Sequence, residues 1–514
     1  MSGLFLKRRD YITCLSFFLI GILSRIPFLE RMQSHWDGPD YTLALIHYSF
    51  VEQTPSPPGY PIYIAIGRLF LFFTRDPHLA ILAVSVLFSG IGAVFFYLTG
   101  KAIFNKKTGI LSALIFLSAP TTYYFGITAN PYGILPTTAA SVGAVVFLIM
   151  VKKKKLGLLL GFVTAFAIGI RPQDALFLLP LYACGIWYLE KKEKIISLLS
   201  VAIVCLTWII PTAVLAGGLS KYLSYVFSFA NHDARPDISL SRIAYITPIL
   251  IKGLYLTCGI ASLASIIFIK RIYFAKAKKQ AFLMARNPYI LLFLLWIAPS
   301  LSFNLFVRSD HAAHQMAYLS GLIVLSSHGV VKIFGKKKRL FIAISILIVV
   351  YNLYTFFRNR DPNQKLPYVS QSYHYSEIVK NNSRMPAIIN FVKTFNPKET
   401  IVITDPEIFR PVMYYLINYY VYAYSSLDTT SPSSYDSVHF GYLWHYKYWL
   451  DKQHTLTVPE STRYIIVISN NRPYSFVGVR YKKVTLTSNA LLYILSVDAG
   501  DIYHLSVHSF TKTY

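Results

Sequence analysis

Apolar runs of about 20 residues, separated by short polar and basic segments, repeat through the first 357 residues. A helix rises 1.5 Å per residue, so a run of about 20 residues crosses the ~30 Å hydrocarbon core of a bilayer. The runs predict eleven spans, at about 11–29, 79–99, 108–126, 133–151, 156–170, 174–189, 195–216, 243–269, 289–306, 316–334 and 340–357. The run at 60–74 breaks the series. As a helix it would cover only about 22 Å. Arg68 also lies mid-run, where a charge costs about 2.5–3.5 kcal/mol. That run is therefore expected in the interface, and 30–78 as one external segment carrying two juxtamembrane helices.

With 60–74 set aside, the clusters Lys101/Lys106/Lys107, Lys152 to Lys155, Lys191-Lys192, Lys270 to Arg286 and Lys336 to Arg339 all fall on one side. Basic loops mark the cytoplasmic face. The N-terminus, with Lys7, Arg8 and Arg9, is then cytoplasmic, and the C-terminus lies outside the plasma membrane. The pattern changes near Arg358. Residues 358–385 read as a polar linker, and 386–514 as an external α/β domain. Ile401 to Thr404 has the pattern of a buried strand, and Asp405-Pro406-Glu407 that of a helix start running to about Ile417. Further strand patterns lie at Tyr464 to Ile468, Lys483 to Leu486 and Leu491 to Val497. The fold class expected is a polytopic α-helical membrane protein, 1–357, with a C-terminal external α/β domain.

Composition agrees. Only 14% of residues are charged and 54% are hydrophobic, whereas soluble domains carry about 25% charged residues. The net charge of +27 lies largely in the basic clusters between spans, where it meets anionic lipid headgroups, so no nucleic-acid partner is expected. Cys14, Cys184, Cys205 and Cys258 all lie in apolar runs. They form no disulfide framework or zinc-ligand spacing.

Chemistry-bearing side chains gather on the external side. Asp37 and Asp40 lie in the stretch Ser34-His35-Trp36-Asp37-Gly38-Pro39-Asp40-Tyr41, which is followed by the rigid turn Pro55-Ser56-Pro57-Pro58-Gly59-Tyr60-Pro61. Arg171, Arg235, Arg308, His311 and His314 fall on external loops or helix ends. Carboxylates at a membrane surface are costly and need a reason. A reaction at that face is one reason; the plainer one is a solvated loop whose aspartates cap a helix. Arg171 likewise reads as a phosphate ligand or a charge ending a helix, and Trp36 as a sugar platform or an interfacial anchor. Asp405, at a strand end, reads as a cap before a catalytic group. The external set suits a substrate with a lipid tail and an anionic headgroup. Arginine pairs with phosphate through charge-assisted hydrogen bonds, and a carboxylate can take the proton of a sugar hydroxyl.

Trp36 to Leu45, with Pro57-Pro58-Gly59-Tyr60-Pro61-Ile62-Tyr63, resembles the first external loop of the C-type glycosyltransferase (GT-C) superfamily. The likeness is greatest to its protein-mannosyltransferase-like branch, which includes lipid A aminoarabinose transferase. Gly169-Ile170-Arg171-Pro172 with Leu179-Pro180, and His314-Gln315 followed by Tyr318, resemble that branch too. The resemblance covers about residues 8–357. It implies an inverting membrane glycosyltransferase that takes a sugar from a polyprenyl-phosphate donor and passes it to a lipid, glycan or protein acceptor on the outer face. On this resemblance Asp37 is the general base, with Asp40 the second catalytic candidate, and Trp36, Tyr60, Arg171, Arg308 and His314 bind substrate. The family pattern often has an adjacent Asp-Glu pair, whereas here Gly38 follows Asp37. Related oligosaccharyltransferases hold a metal with paired acids. The external loops here carry few acids, so metal-independent chemistry is favoured over a divalent metal and no cofactor is expected. The main alternative is a flippase for lipid-linked sugars, which would place charges within discontinuous helices.

Overall fold

The computed structural model describes residues 8–33, 37–50, 54–233, 236–264, 287–307, 312–358, 373–404, 406–423, 455–469, 475–487, 490–506 and 509–513. The chain folds as two units. One is helical, Met1–Leu29 with Pro58–Ser376; the other is α/β, Glu30–Pro57 with Glu377–Tyr514.

Each predicted span overlaps a described helix, yet they are not alike. Among the described residues, seven helical stretches are both long and apolar enough to cross a membrane: Arg8–Phe28, Pro77–Ile103, Pro131–Met150, Lys191–Leu215, Pro288–Phe306, Met316–Phe334 and Lys338–Phe357. The run 60–74 is the 14-residue helix Pro61–Thr74, and 156–170 is the helix Gly157–Ile170. The span expected at 108–126 is two helices, Lys106–Ser118 and Pro120–Phe125. Pro120 has no N–H to give the Phe116 carbonyl and forces the residue before it out of helical geometry; Ala119 is accordingly extended. Side chains satisfy the carbonyls this break exposes. The Thr122 hydroxyl donates to Phe116 O. Arg25, only 1% exposed, donates from Nη2 to Leu117 O at 2.8 Å and lies 4.0 Å over the Tyr123 ring. Within the span expected at 243–269, the helix Leu240–Cys258 stops at Gly259 with φ +56°, and residues 265–269 lie outside the described residues. The loop expected at 217–242 contains the helix Leu219–Asp233.

Small residues set the closest helix crossings. A Cβ on Gly21 would lie 2.6 Å from Gly90 Cα, and one on Gly143 would lie 2.5 Å from the Trp296 ring. Phe96 stacks on Phe116 at 4.7 Å, and Trp296 donates to Ser320 Oγ at 2.9 Å. On the helix Lys191–Leu215, by contrast, Ile195, Leu199, Ile203, Leu206 and Ile210 are exposed. Lipid tails solvate such a face; water does not.

The α/β unit has two sheets among the described residues. The first contains β1 (Thr400–Thr404), β2 (Tyr420–Ala423), β4 (Tyr464–Ser469), β6 (Tyr481–Thr487) and β7 (Ala490–Ser496), in the order β2-β1-β4-β7-β6. β1 is parallel to β2 and β4; β7 is antiparallel to β4 and β6. The second sheet runs β3 (Thr455–Thr457), β8 (Ile502–Ser506), β9 (Ser509–Thr513), β5 (Ser475–Val477). Side chains alternate across a strand. Val402, Ile466, Ile468 and Leu492 therefore face a core with Ile388, Phe409 and Val412 from the helices Tyr375–Val392 and Pro406–Tyr415. Ile401, Ile403, Ile465 and Val467 face a second core with Leu456 and Tyr503.

Two sequence boundaries differ. The helix Tyr375–Val392 begins inside the expected linker 358–385. Residues 30–57, expected to belong to the membrane part, group with the C-terminal part instead. The reason is burial: Leu43 is 1% exposed in the core of Ile388, Phe409 and Val412, and Met32 packs against the same core.

The Gly21–Gly90 contact is backbone against backbone, so no side chain can yield to a substitution there. Gly21→Leu should destabilise the helical unit by about 1–3 kcal/mol. Heating in detergent and measuring the monodisperse fraction tests this, with Leu19→Ala on the exposed face of the same helix as control. Equal thermal resistance of both variants would contradict the packing described.

Candidate functional site

The first-loop acids lie in the α/β unit. The chain enters it through a bent segment tied down at two residues. Arg31 N donates to Asn382 Oδ1 at 2.7 Å, and Gln33 N donates to the Tyr415 hydroxyl at 2.9 Å. It then forms the short helix Gly38–Ala44, all seven residues of which are buried. Pro39 near its start fits the first turn, where N–H groups have no intrahelical partner. Gln33 Nε2 donates to Thr42 Oγ1 at 2.6 Å, which donates to Gly38 O at 2.8 Å. Beyond the helix, Ser49 and Thr54 exchange backbone hydrogen bonds at 2.8 Å, and this closure brings Ser56 to Asp40.

Asp37 sits at the N-cap position, yet its side chain makes no capping hydrogen bond. Asp40 is 1% exposed. Its Oδ2 accepts from Arg410 Nη1 and from Ser56 Oγ at 3.4 Å. The same Nη1 stands 3.9 Å from Asp37 Oδ1. The Arg410 and Asp37 side chains are 6% and 29% exposed. Asp40, expected as the second catalytic candidate or a helix cap, is a buried member of an ion pair. The Asp37 carboxylate is the more open of the two.

Arg410 was not legible as a site residue. It lies between Phe409 and Pro411 on a helix whose Ile408, Phe409, Val412 and Met413 are buried. A cation among such neighbours hints at a buried partner, but that partner is 370 positions away in the chain.

Arg171 and His314 lie in the helical unit. The helix Gly157–Ile170 ends at Arg171 because Pro172 follows; Arg171 is extended, with φ −143° and ψ 96°. Its Nη1 donates to Asp174 Oδ1 at 3.0 Å, and both residues are buried. The guanidinium carbon stands 5.9 Å from the Tyr132 ring centre, and that ring meets His314 edge to face at 6.1 Å. Asn304 Nδ2 holds the His314 carbonyl at 3.3 Å. Gln315, fully buried, accepts from Tyr318 OH at 2.8 Å. Tyr132 thus links the two sequence candidates. Tyr60, with φ 50°, leads into the helix Pro61–Thr74 and is 6% exposed. Trp36, Arg308, His311, Arg235 and Asp405 lie outside the described residues. Among the described residues no three of His, Cys, Asp and Glu are grouped as metal ligands.

Burial pushes the Asp40 carboxyl up to about 7; the Arg410 charge pulls it down, and the Asp37 charge adds to the rise. An acid that holds its proton more tightly folded than unfolded favours the folded form while protonated. That contribution is present near pH 4 and is lost as pH rises through about 7. Hydrogen exchange of the full-length protein should show the opening free energy of Gly38–Ala44 falling from pH 5 to pH 8. Asp40→Asn should remove that fall; a slope unchanged in Asp40→Asn would contradict the assignment.

Residues 56–215 match the family model of the dolichyl-phosphate-mannose-protein mannosyltransferases. No curated protein matches the chain. Among solved structures, ArnT from Cupriavidus metallidurans bound to undecaprenyl phosphate is similar with a TM-score of 0.57 at 9% identity, covering 95% of this chain and 97% of that one. Archaeal oligosaccharyltransferase AglB from Archaeoglobus fulgidus, in complex with an inhibitory peptide and a dolichol-phosphate, gives 0.50 at 10% identity, covering 90% of this chain and 69% of that one. At such identities the structural likeness is one of fold. Residues 56–215 thus carry the mannosyltransferase-family pattern, and this integral membrane protein shares the fold of the GT-C glycosyltransferases ArnT and AglB.

Proposed function

We propose that the protein transfers a sugar from a polyprenyl-phosphate donor to a hydroxyl-bearing acceptor on the outer face, with Asp37 as general base. The observation that carries this reading is the contrast between the two first-loop acids. Asp40 is enclosed and bonded to Arg410, while the Asp37 side chain is 29% exposed and makes no cap bond. In the step, the acceptor oxygen attacks C1 of the sugar as the bond from C1 to the phosphate oxygen breaks. The polyprenyl phosphate leaves with the electron pair of that bond, and Asp37 takes the acceptor's proton. One base and one displacement invert the anomeric centre.

Arg171 is assigned to the donor phosphate. It is held at a helix end against Asp174 and has the planar fork that phosphate oxygens match. His314, beside Tyr132, is assigned to the same donor. Undecaprenyl phosphate in the ArnT structure and dolichol-phosphate in the AglB structure support this donor class. No metal is invoked in this reading: Arg410 supplies the positive charge beside the two carboxylates.

Asp37→Asn keeps the shape and removes the basicity. Single-turnover transfer by purified protein, from a panel of polyprenyl-phosphate sugars, should fall about 10²–10⁴-fold. Donor affinity should stay near wild type in Asp37→Asn and weaken in Arg171→Gln. Near-wild-type transfer by Asp37→Asn would sink the base assignment. Consumption of no donor by the wild type, with lipid-linked sugar still crossing the bilayer, would favour the flippase.

The outward placement of 30–78 has its own test. A membrane-impermeant maleimide should label Arg75→Cys in intact cells, because the native cysteines lie in apolar helices. Labelling only after the membrane is opened would reverse the placement.

A further inference from the structure

We propose that Arg410 is a positioning residue for the transfer reaction: it fixes the Asp37 carboxylate through a guanidinium shared with Asp40, so the α/β unit furnishes part of the catalytic apparatus. The proposal rests on Asp37 being the general base, and carries that reading from the first loop to a residue 370 positions downstream.

The argument begins with what holds Arg410. Its helix, Pro406–Tyr415, follows β1, a strand whose five residues are all buried. Ile408, Phe409, Val412 and Met413 anchor that helix in the core. The Arg410 backbone is thus fixed, and its guanidinium is covered, with the side chain 6% exposed. Leu43 of the helix Gly38–Ala44 packs into the same core. Independent hydrogen bonds at Arg31 and Gln33 tie the approach to that helix to Asn382 and Tyr415. With the Asp40 ion pair, the first-loop segment is built into this unit at four separate places.

One nitrogen then joins the two acids. Arg410 Nη1 bonds Asp40 Oδ2 and lies 3.9 Å from Asp37 Oδ1. Asp37 and Asp40 are one helical turn apart, and without the cation their like charges would repel. The guanidinium attracts both carboxylates, while only Asp37 is open enough to meet substrate. Arg410 therefore acts on the reaction through Asp37, not by touching the sugar. This division explains why two acids spaced by Gly38 and Pro39 can serve where only one takes a proton.

The test uses the full-length protein and the polyprenyl-phosphate sugar that the wild type consumes, with Asp37→Asn run alongside. Misplacing a reacting group by about 1 Å costs on the order of 10²-fold. Arg410→Gln should therefore lower kcat by roughly 10- to 100-fold, with donor affinity changed less than about threefold. Arg410→Lys keeps the charge without the fork and should recover part of that loss. Arg410→Gln leaves a buried unpaired acid, so the paired variant Asp40→Asn/Arg410→Gln is included to remove both charges and preserve folding. It should still be slow, because Asp37 has lost its cation. In the Asp37→Asn background, Arg410→Gln should cost almost nothing more, since groups acting as one unit are not additive.

Wild-type turnover by Arg410→Gln or by the folded paired variant would overturn the proposal. So would a loss in Asp37→Asn/Arg410→Gln equal to the product of the single losses, which is the mark of a separate structural role. If Asp37→Asn itself turns over normally, the base reading fails and this proposal with it. If Asp37→Asn is slow while the Arg410 variants match wild type, only the positioning role fails.

Discussion

A carboxylate as deeply buried as Asp40 is stable only against a partner that stays charged. In this chain that partner is Arg410. Desolvating an ion pair costs several kcal/mol per ion, and a good contact offsets that cost only where the geometry is fixed. The α/β unit fixes it. β1 is covered on both faces, its following helix is locked into the core, and Leu43 brings the first-loop helix into the same core. Once that packing exists, Asp40 cannot reach solvent, and Asp37, three residues earlier, is left at the edge. The contrast between the two acids follows from which one the core encloses.

The helical unit obeys a different constraint. In lipid every backbone polar group needs a partner within the protein, so each helix break needs side chains to cover it. At Pro120 these are Thr122 and Arg25. At Pro172, Arg171 turns to Asp174 at 3.0 Å and towards Tyr132. Prolines therefore decide where polar side chains collect in this unit. Arginines at such breaks are held in place by contacts within the protein.

The sequence made the membrane class, the position of most apolar helices, the short run 60–74 and four main strands legible, because hydrophobic period and run length report them directly. It also singled out Asp37, Arg171 and His314 by residue type and loop position. It did not show the break at Pro120, since an apolar run with proline still reads as a span. The amphipathic helix Leu219–Asp233 was read as loop because polar residues interrupt its apolar run. The short strands of the second sheet, such as β3 and β5, are three residues each and carry no usable period. The partner of Asp40 was hidden most completely. An ion pair across 370 positions has no local signature, and without Arg410 the proline and glycine around Asp40 suggested a cap instead.

The central claim is a single displacement on the sugar, served by one open acid. The most direct measurement is the configuration at C1 of the transferred sugar. It can be read by NMR, through the one-bond C1–H1 coupling, for donor and product under single-turnover conditions. One base and no covalent intermediate require that the configuration invert. Retention would require a nucleophile that bonds to the sugar and a second displacement, and would contradict the role given to Asp37.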